Sequence, residues 1–269
     1  MTWQDFFGMG PGERPERWRL PVTDAVTGGV GQLFGGVAFG AAVAVLEELT
    51  GKPAAWATAQ FLSNAFPPEQ LELDATVVVH GHNFSQARVV GHVGDREVVS
   101  VLAALGAKRF DGNGMWRVMP LVAPPDQCAR RAAFGPDPGG LHTRIEQRIV
   151  EGEWGNEAFS PAGVCRVWMR MADGFAATPA GLAVVADFLP LGIRSALGRE
   201  LFGSSLDNTV RYVQPPPPDH DGWVLADLQV DAVQHGVGHG TVHLWSGDGT
   251  LLAVASQTCS MRELRPGER

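Results

Sequence analysis

Two stretches of this chain are apolar on every face and nearly free of charge, and each is followed by a run of segments rich in Val, Leu, Trp and Thr. These nearly uncharged stretches, 36–49 and 182–197, predict helices buried on all sides. Behind the first, 57–65, 71–80, 84–92 and 97–105 predict strands; behind the second, 209–213, 223–233, 240–245 and 250–259 do the same. Gly94-Asp95 and Gly247-Asp248-Gly249 fall between the last two strands of each run and read as tight hairpin turns. Long strands in hairpin succession, with one buried helix per run, imply an α+β fold in which an antiparallel sheet curls around a helix, twice over.

The two runs follow one pattern. On the spacing that sets Gly94-Asp95 against Gly247-Asp248, Val98-Val99-Ser100-Val101 meets Leu251-Leu252-Ala253-Val254, and Leu73-Asp74 meets Ala226-Asp227. Such a repeat decides the architecture: a first unit over 1–106, a Gly/Pro-rich connector over 107–140, and a second unit over 141–269. The copies differ in polarity. Ala104 meets Gln257 and Val78 meets Asp231, while matching Pro67 to Pro215, with a gap in the loop, brings Ala59 near Asp207. A duplicated fold needs only one working site, and the copy with the carboxylates and the amide is where it is expected.

Composition narrows the function classes. The 269 residues are 45% hydrophobic and 19% charged, a globular balance with room for a large core. A formal net charge of −8, and no run of Lys and Arg interleaved with aromatics, argue against a nucleic-acid partner. Cys128, Cys165 and Cys259 are odd in number and widely spaced, which fits buried thiols in a reducing cytoplasm better than a disulfide framework. Residues 1–19 are polar and of mixed charge, unlike a signal peptide. The uncharged stretch 28–46 is marginal for a membrane span, and Glu47-Glu48 follow at once, so no span is expected. The prolines of 215–218 read as a stiff connector.

Hydrolysis of an activated acyl group needs a nucleophile, a group to deprotonate it, and donors for the developing oxyanion. Asp207 with Gln257 suits direct attack by water, the carboxylate taking a proton and the amide holding water and carbonyl. No GxSxG elbow is present for a covalent route. Gly35-Gly36, at the head of the first apolar helix, offers backbone N–H groups to a carbonyl oxygen, and close packing of helix on sheet explains the pair equally well. Gly29-Val30-Gly31 misses dinucleotide-binding spacing. His235 and His239 are interleaved with glycines, and His80 with His82 has no third ligand, so neither metal nor another cofactor is expected. Arg88 and Arg262 are candidates for anionic groups of a substrate, against a default of solvated surface.

The order helix, strands, connector, helix, strands resembles the double hotdog of the TesB-like acyl-CoA thioesterases (acyl-CoA thioesterase II family). Gln32-Leu33-Phe34-Gly35-Gly36 is similar to the family's VFGG segment, and Asn83-Phe84-Ser85-Gln86-Ala87-Arg88 to its NSFSARR strand. Ser205-Leu206-Asp207-Asn208 resembles the segment holding its catalytic aspartate. Asp248-Gly249-Thr250-Leu251-Leu252-Ala253, with Gln257 and Arg262 beyond it, resembles the ending that carries its catalytic glutamine. The resemblance spans the chain outside the connector. It implies hydrolysis of fatty acyl-CoA without a cofactor, with Asp207, Gln257 and Asp231 catalytic, Gly35, Gly36 and Asn83 binding substrate, and self-association into a homo-oligomer. Three positions depart from the family. Its third catalytic Thr or Ser falls on Asp231 or neighbouring Val230, the Gln after FGG is Val37, and a first-half His is Thr58. Those departures keep two alternatives in view, a hotdog enoyl- or hydroxyacyl-thioester hydratase-dehydratase and a catalytically inactive acyl-CoA-binding protein.

Overall fold

In the computed structural model, which describes residues 1–131, 140–150, 160 and 162–264, both apolar stretches are helical and the named strands pair antiparallel. In chain order the elements are α1 (Trp3–Phe7), β1 (Gly10–Pro11), β2 (Arg17–Pro21), α2 (Gly35–Thr50), β3 (Ala54–Phe61), β4 (Gln70–His80), β5 (Phe84–Val93) and β6 (Arg96–Gly106). They continue as β7 (Ala129–Arg130), α3 (Leu141–Arg144), β8 (Glu146–Ile149), β9 (Val164–Arg170), α4 (Pro179–Ala186), α5 (Leu189–Leu197) and β10 (Leu201–Tyr212). The last three strands are β11 (Trp223–Gln234), β12 (Val237–Ser246) and β13 (Leu251–Glu263).

The strands form one sheet in the order β1-β2-β4-β5-β6-β3-β10-β13-β12-β11-β9-β8-β7, and outward from the β3–β10 seam each strand of one half has its counterpart in the other, with β7 added at the second half's edge. At the seam, Thr58 pairs with Thr209, and their hydroxyls lie 2.7 Å apart. The duplication is visible in side chains too. Arg17 pairs across to Asp74 in the first half, and Arg166 to Asp227 in the second, each pair joined by a hydrogen bond from the Arg Nε.

Helix α2 is buried from Gly36 to Leu46, as its lack of a polar face requires. It stops where Gly51, at φ 62°, turns its N–H back to the Glu47 carbonyl. Its small residues let α4 approach closely: a Cβ added at Gly40 would lie 2.5 Å from the Ala180 carbonyl oxygen. Each large side chain buried in this core, such as Phe39 or Leu46, contributes about 1.5–3 kcal/mol.

The second helical stretch differs from expectation. It begins earlier, at Pro179 with Thr178 as cap, and it breaks at Asp187-Phe188 into α4 and α5. Pro190 enforces the break, since its ring and missing N–H cannot continue a helix through residue 186. By length and composition Pro179–Leu197 could cross a membrane, but 72% of it is buried inside this fold, as a core helix is. Strand β10 also begins earlier than predicted. Residues 201–208 lack alternating apolar positions because they face a polar cluster, and pairing with β13 overrides their weak propensity.

The connector does more than link. On the sheet face away from the helices, Trp168, Trp223, Leu225, Trp245 and Leu251 form a second core, and Met119, Val122 and Cys128 of the connector cover it. Trp168 donates its indole N–H to the Ala123 carbonyl at 2.9 Å, which satisfies the polar atom of that buried side chain. Residues 132–139 of the expected Gly/Pro-rich connector lie outside the described residues.

Candidate active site

Asp187 lies in the helix break, and only 2% of it is exposed. It is the sole charged residue between Asp173 and Arg194. A buried lone carboxylate is costly unless hydrogen-bonded, and three groups meet this one. The Gly36 N–H, at the N-terminus of α2, donates to Oδ2 at 2.6 Å. The Ser205 hydroxyl on β10 donates to Oδ1 at 2.8 Å. Gln257 on β13 donates from Nε2 to Oδ1 as well, and from the same nitrogen to Ser205 Oγ at 2.8 Å. Burial pushes the Asp187 carboxyl up to about 6, and these donors restrain the rise.

The glycines at the head of α2 are what permit this approach. A Cβ at Gly35 would meet Asp187 Oδ2 at 2.8 Å, and one at Gly36 would meet Asp187 Cβ at 2.9 Å and Val184 Cα at 3.0 Å. Packing and chemistry therefore demand the same residue. The Gly36 N–H expected to bind a substrate carbonyl is already committed to the carboxylate, whereas Gly35 opens onto the cavity described below.

Gln257 is in the cluster, but the other expected carboxylates are not. The β10–β13 register shifts between Ser205 and Asp207, so Leu206 is an extra residue in β10. A one-residue shift exchanges the two faces of a strand, and here it turns both Ser205 and Asn208 inward and Asp207 away from them. Asp207 instead accepts the Thr258 backbone N–H at 2.8 Å. The proline match also misplaced this strand. Gln257 faces Asn208 across the sheet as Ala104 faces Trp56, so Asn208 and not Asp207 is the residue opposite the glutamine. Asp231 sits exposed at a register shift between Val230 and Ala232. Asn83 is exposed in the β4–β5 turn of the first half, and its side chain meets His82.

The cluster opens through Asp187, Ser205 and Gly35 into a cavity of about 350 Å³. Its apolar wall includes Phe34, Phe61, Phe188, Leu191, Leu201 and Phe202. Arg131, His142 and Arg194 line it as well, and Arg131 also donates to Gln147 Oε1 at 2.6 Å. The His142 ring stands edge-on to Phe34 and Phe188, at 6.2 and 5.8 Å between centroids. Burial, with help from the two guanidinium groups, lowers its pKa to about 4, so this ring is neutral at pH 7.

Asp187 and Ser205 escape motif reading, although Asp187 carries a physical signal in the sequence. An isolated charge in a long apolar helix must have a buried partner or a function. Ser205 offers no such signal, because its inward direction depends on the bulge at Leu206.

The model of the acyl-CoA thioesterase C-terminal domain family matches residues 125–261. A candidate thioesterase from Novosphingobium aromaticivorans is 30% identical, with a TM-score of 0.84 over 94% of this chain and 98% of that one. A hot dog fold protein of unknown function from Alicyclobacillus acidocaldarius superposes with a TM-score of 0.82 at 20% identity, over 98% of this chain and 99% of its own. The acyl-CoA thioesterase II TesB2 of Mycobacterium marinum does so with a TM-score of 0.74 at 18% identity, over 99% of this chain and 100% of its own. At these lower identities the likeness is one of fold, and that fold is the hotdog. No curated protein matches the sequence.

Proposed function

This chain belongs to the acyl-CoA thioesterase family, and from that premise we propose that it hydrolyses fatty acyl-CoA by direct water attack at the Asp187–Ser205–Gln257 cluster. The observation that carries the site assignment is the buried Asp187 carboxylate, held by three donors at the mouth of an apolar cavity. Oδ2 bears one of these hydrogen bonds against two on Oδ1, and it faces Gly35 and the cavity. Oδ2 takes a proton from water as the water oxygen attacks the thioester carbonyl carbon. The carbonyl oxygen, gaining charge, lies at the positive end of α2 beside the Gly35 N–H, which has no intrahelical acceptor. Collapse breaks the C–S bond, and the proton leaves with the CoA thiolate as the free acid forms. Gln257 does not reach the cavity; it holds the carboxylate and Ser205 from behind.

A base with a pKa near 6 is ionised for most molecules at pH 7.5 and still matched to proton transfer. The Phe and Leu wall suits an apolar acyl chain, and about 350 Å³ lies at the small end of ligand pockets. We take the architecture to be a double hotdog, with units over 1–106 and 141–269 joined at the β3–β10 seam, the mirrored strand order supporting that division. A cytoplasmic homo-oligomer remains the expected setting.

The test is thiol release from acyl-CoAs of short, medium, long and aromatic acyl groups, across pH 5 to 9. The expected result is turnover that falls on the acid side with a midpoint near 6 and is lost in Asp187→Asn. Turnover indifferent to Asp187→Asn and to Gln257→Ala would sink the site, and no release from any acyl-CoA would sink the activity.

A further inference from the structure

One polar side chain at the cluster has no part in the mechanism above. Asn208 is fully buried, and it points inward only because of the extra residue at Leu206. It stands directly across the sheet from Gln257, close enough for the two amides to meet. It is also among the groups that favour the charged form of Asp187. Neither its Nδ2 nor its Oδ1 makes a well-aligned hydrogen bond, and the Oε1 of Gln257 is equally unpaired and buried. Two such amides side by side are costly in a core, where an apolar residue of the same shape carries no such penalty.

We propose that Asn208 is a positioning residue of the hydrolytic site, fixing the Gln257 amide and the Asp187 carboxylate in the one arrangement that serves water attack. This rests on the reading of Asp187 as the base. The chemistry follows from the donor inventory of an amide. A small rotation of the Asn208 side chain gives one N–H to Gln257 Oε1 and turns the other toward the Asp187 carboxylate. Gln257 then cannot flip. Its Nε2 stays on Asp187 and Ser205, whereas the reversed amide would set its oxygen against the carboxylate, acceptor to acceptor. A purely structural residue here would be better as leucine.

The experiment compares Asn208→Leu and Asn208→Asp with the wild-type full-length chain. It uses whichever acyl-CoA the wild type turns over fastest, with pH profiles of kcat and KM, and thermal melts. The expected result for Asn208→Leu is a melting temperature at or above wild type. Its kcat falls at least about 10-fold with KM within about 2-fold, as for an interaction made only in the transition state. In both variants the acid limb moves up by about one pH unit, and further in Asn208→Asp, where a second carboxylate faces the first. If Asp187→Asn abolishes turnover while both Asn208 variants keep the wild-type kcat and acid limb, this inference fails and the proposed function stands. A wild-type acid limb that does not depend on Asp187 overturns both.

Discussion

The two halves share a strand order and an Arg–Asp cross-strand pair, yet they have diverged at both faces of the sheet. On the helix face, the second half supplies Asp187, Ser205, Asn208 and Gln257, while the first supplies the glycine-headed end of α2. At the position of Gln257 the first half has Ala104. On the opposite face, the second half is covered by the connector over three tryptophans, whereas the first leaves Leu102 half exposed and Phe84 nearly so. The lesson is one of division of labour. One copy keeps a bare helix start, which is an unmet donor, and the other keeps the acceptor that meets it.

The sharpest way to break this comparison is Asp187→Asn. Hydrolysis of acyl-CoA, followed as free thiol, is expected to fall by about 10³-fold or more, since general-base removal typically costs 10²–10⁴. A change in the other half comes next. Gly36→Ala forces a methyl group to within about 3 Å of Asp187 Cβ and Val184 Cα, and about 10²-fold of activity is expected to go with the displaced carboxylate. A variant retaining full activity would mean that the first half is scaffold alone. The outer faces are compared through stability. Trp168→Ala should cost about 3–5 kcal/mol in denaturant unfolding, the range for a buried aromatic, while Leu102→Ala on the uncovered side stays within about 0.5 kcal/mol. The smallest effects are expected at the positions suggested by motif alone. Asp207→Asn, Asp231→Asn and Asn83→Ala should each keep kcat/KM within about 2-fold, and a larger loss at Asp207 would favour the motif over the geometry.

Much of the architecture was legible because periodicity and turn chemistry are local. The apolar stretch that opens at Gly36 reads as a buried helix, and the Gly-Asp turns fixed hairpins that the sheet reproduces. Gln257 was legible too, as a lone amide in an apolar strand set against Ala104. Asp207 stands apart from the cluster for a physical reason. Which face a strand residue occupies depends on its register with its neighbour, and a single bulge at Leu206 reverses it without leaving a mark in composition. Asp187 was overlooked because the helix around it was read as one element, when the break at Pro190 is what aims the carboxylate.

As the proposed base, that carboxylate sets turnover and durability against each other. Its pKa is raised from 3.8 to about 6 on folding, so the folded chain holds the proton more tightly than the unfolded one. The stabilising contribution of this residue is therefore complete below pH 3.8 and is lost as pH rises through 6, on the order of 3 kcal/mol in all. The proposed catalysis runs the other way, beginning where that contribution ends. The pH of greatest activity and the pH at which this residue best supports the fold are separated by design of the site, and the rest of the core must carry the molecule where it works.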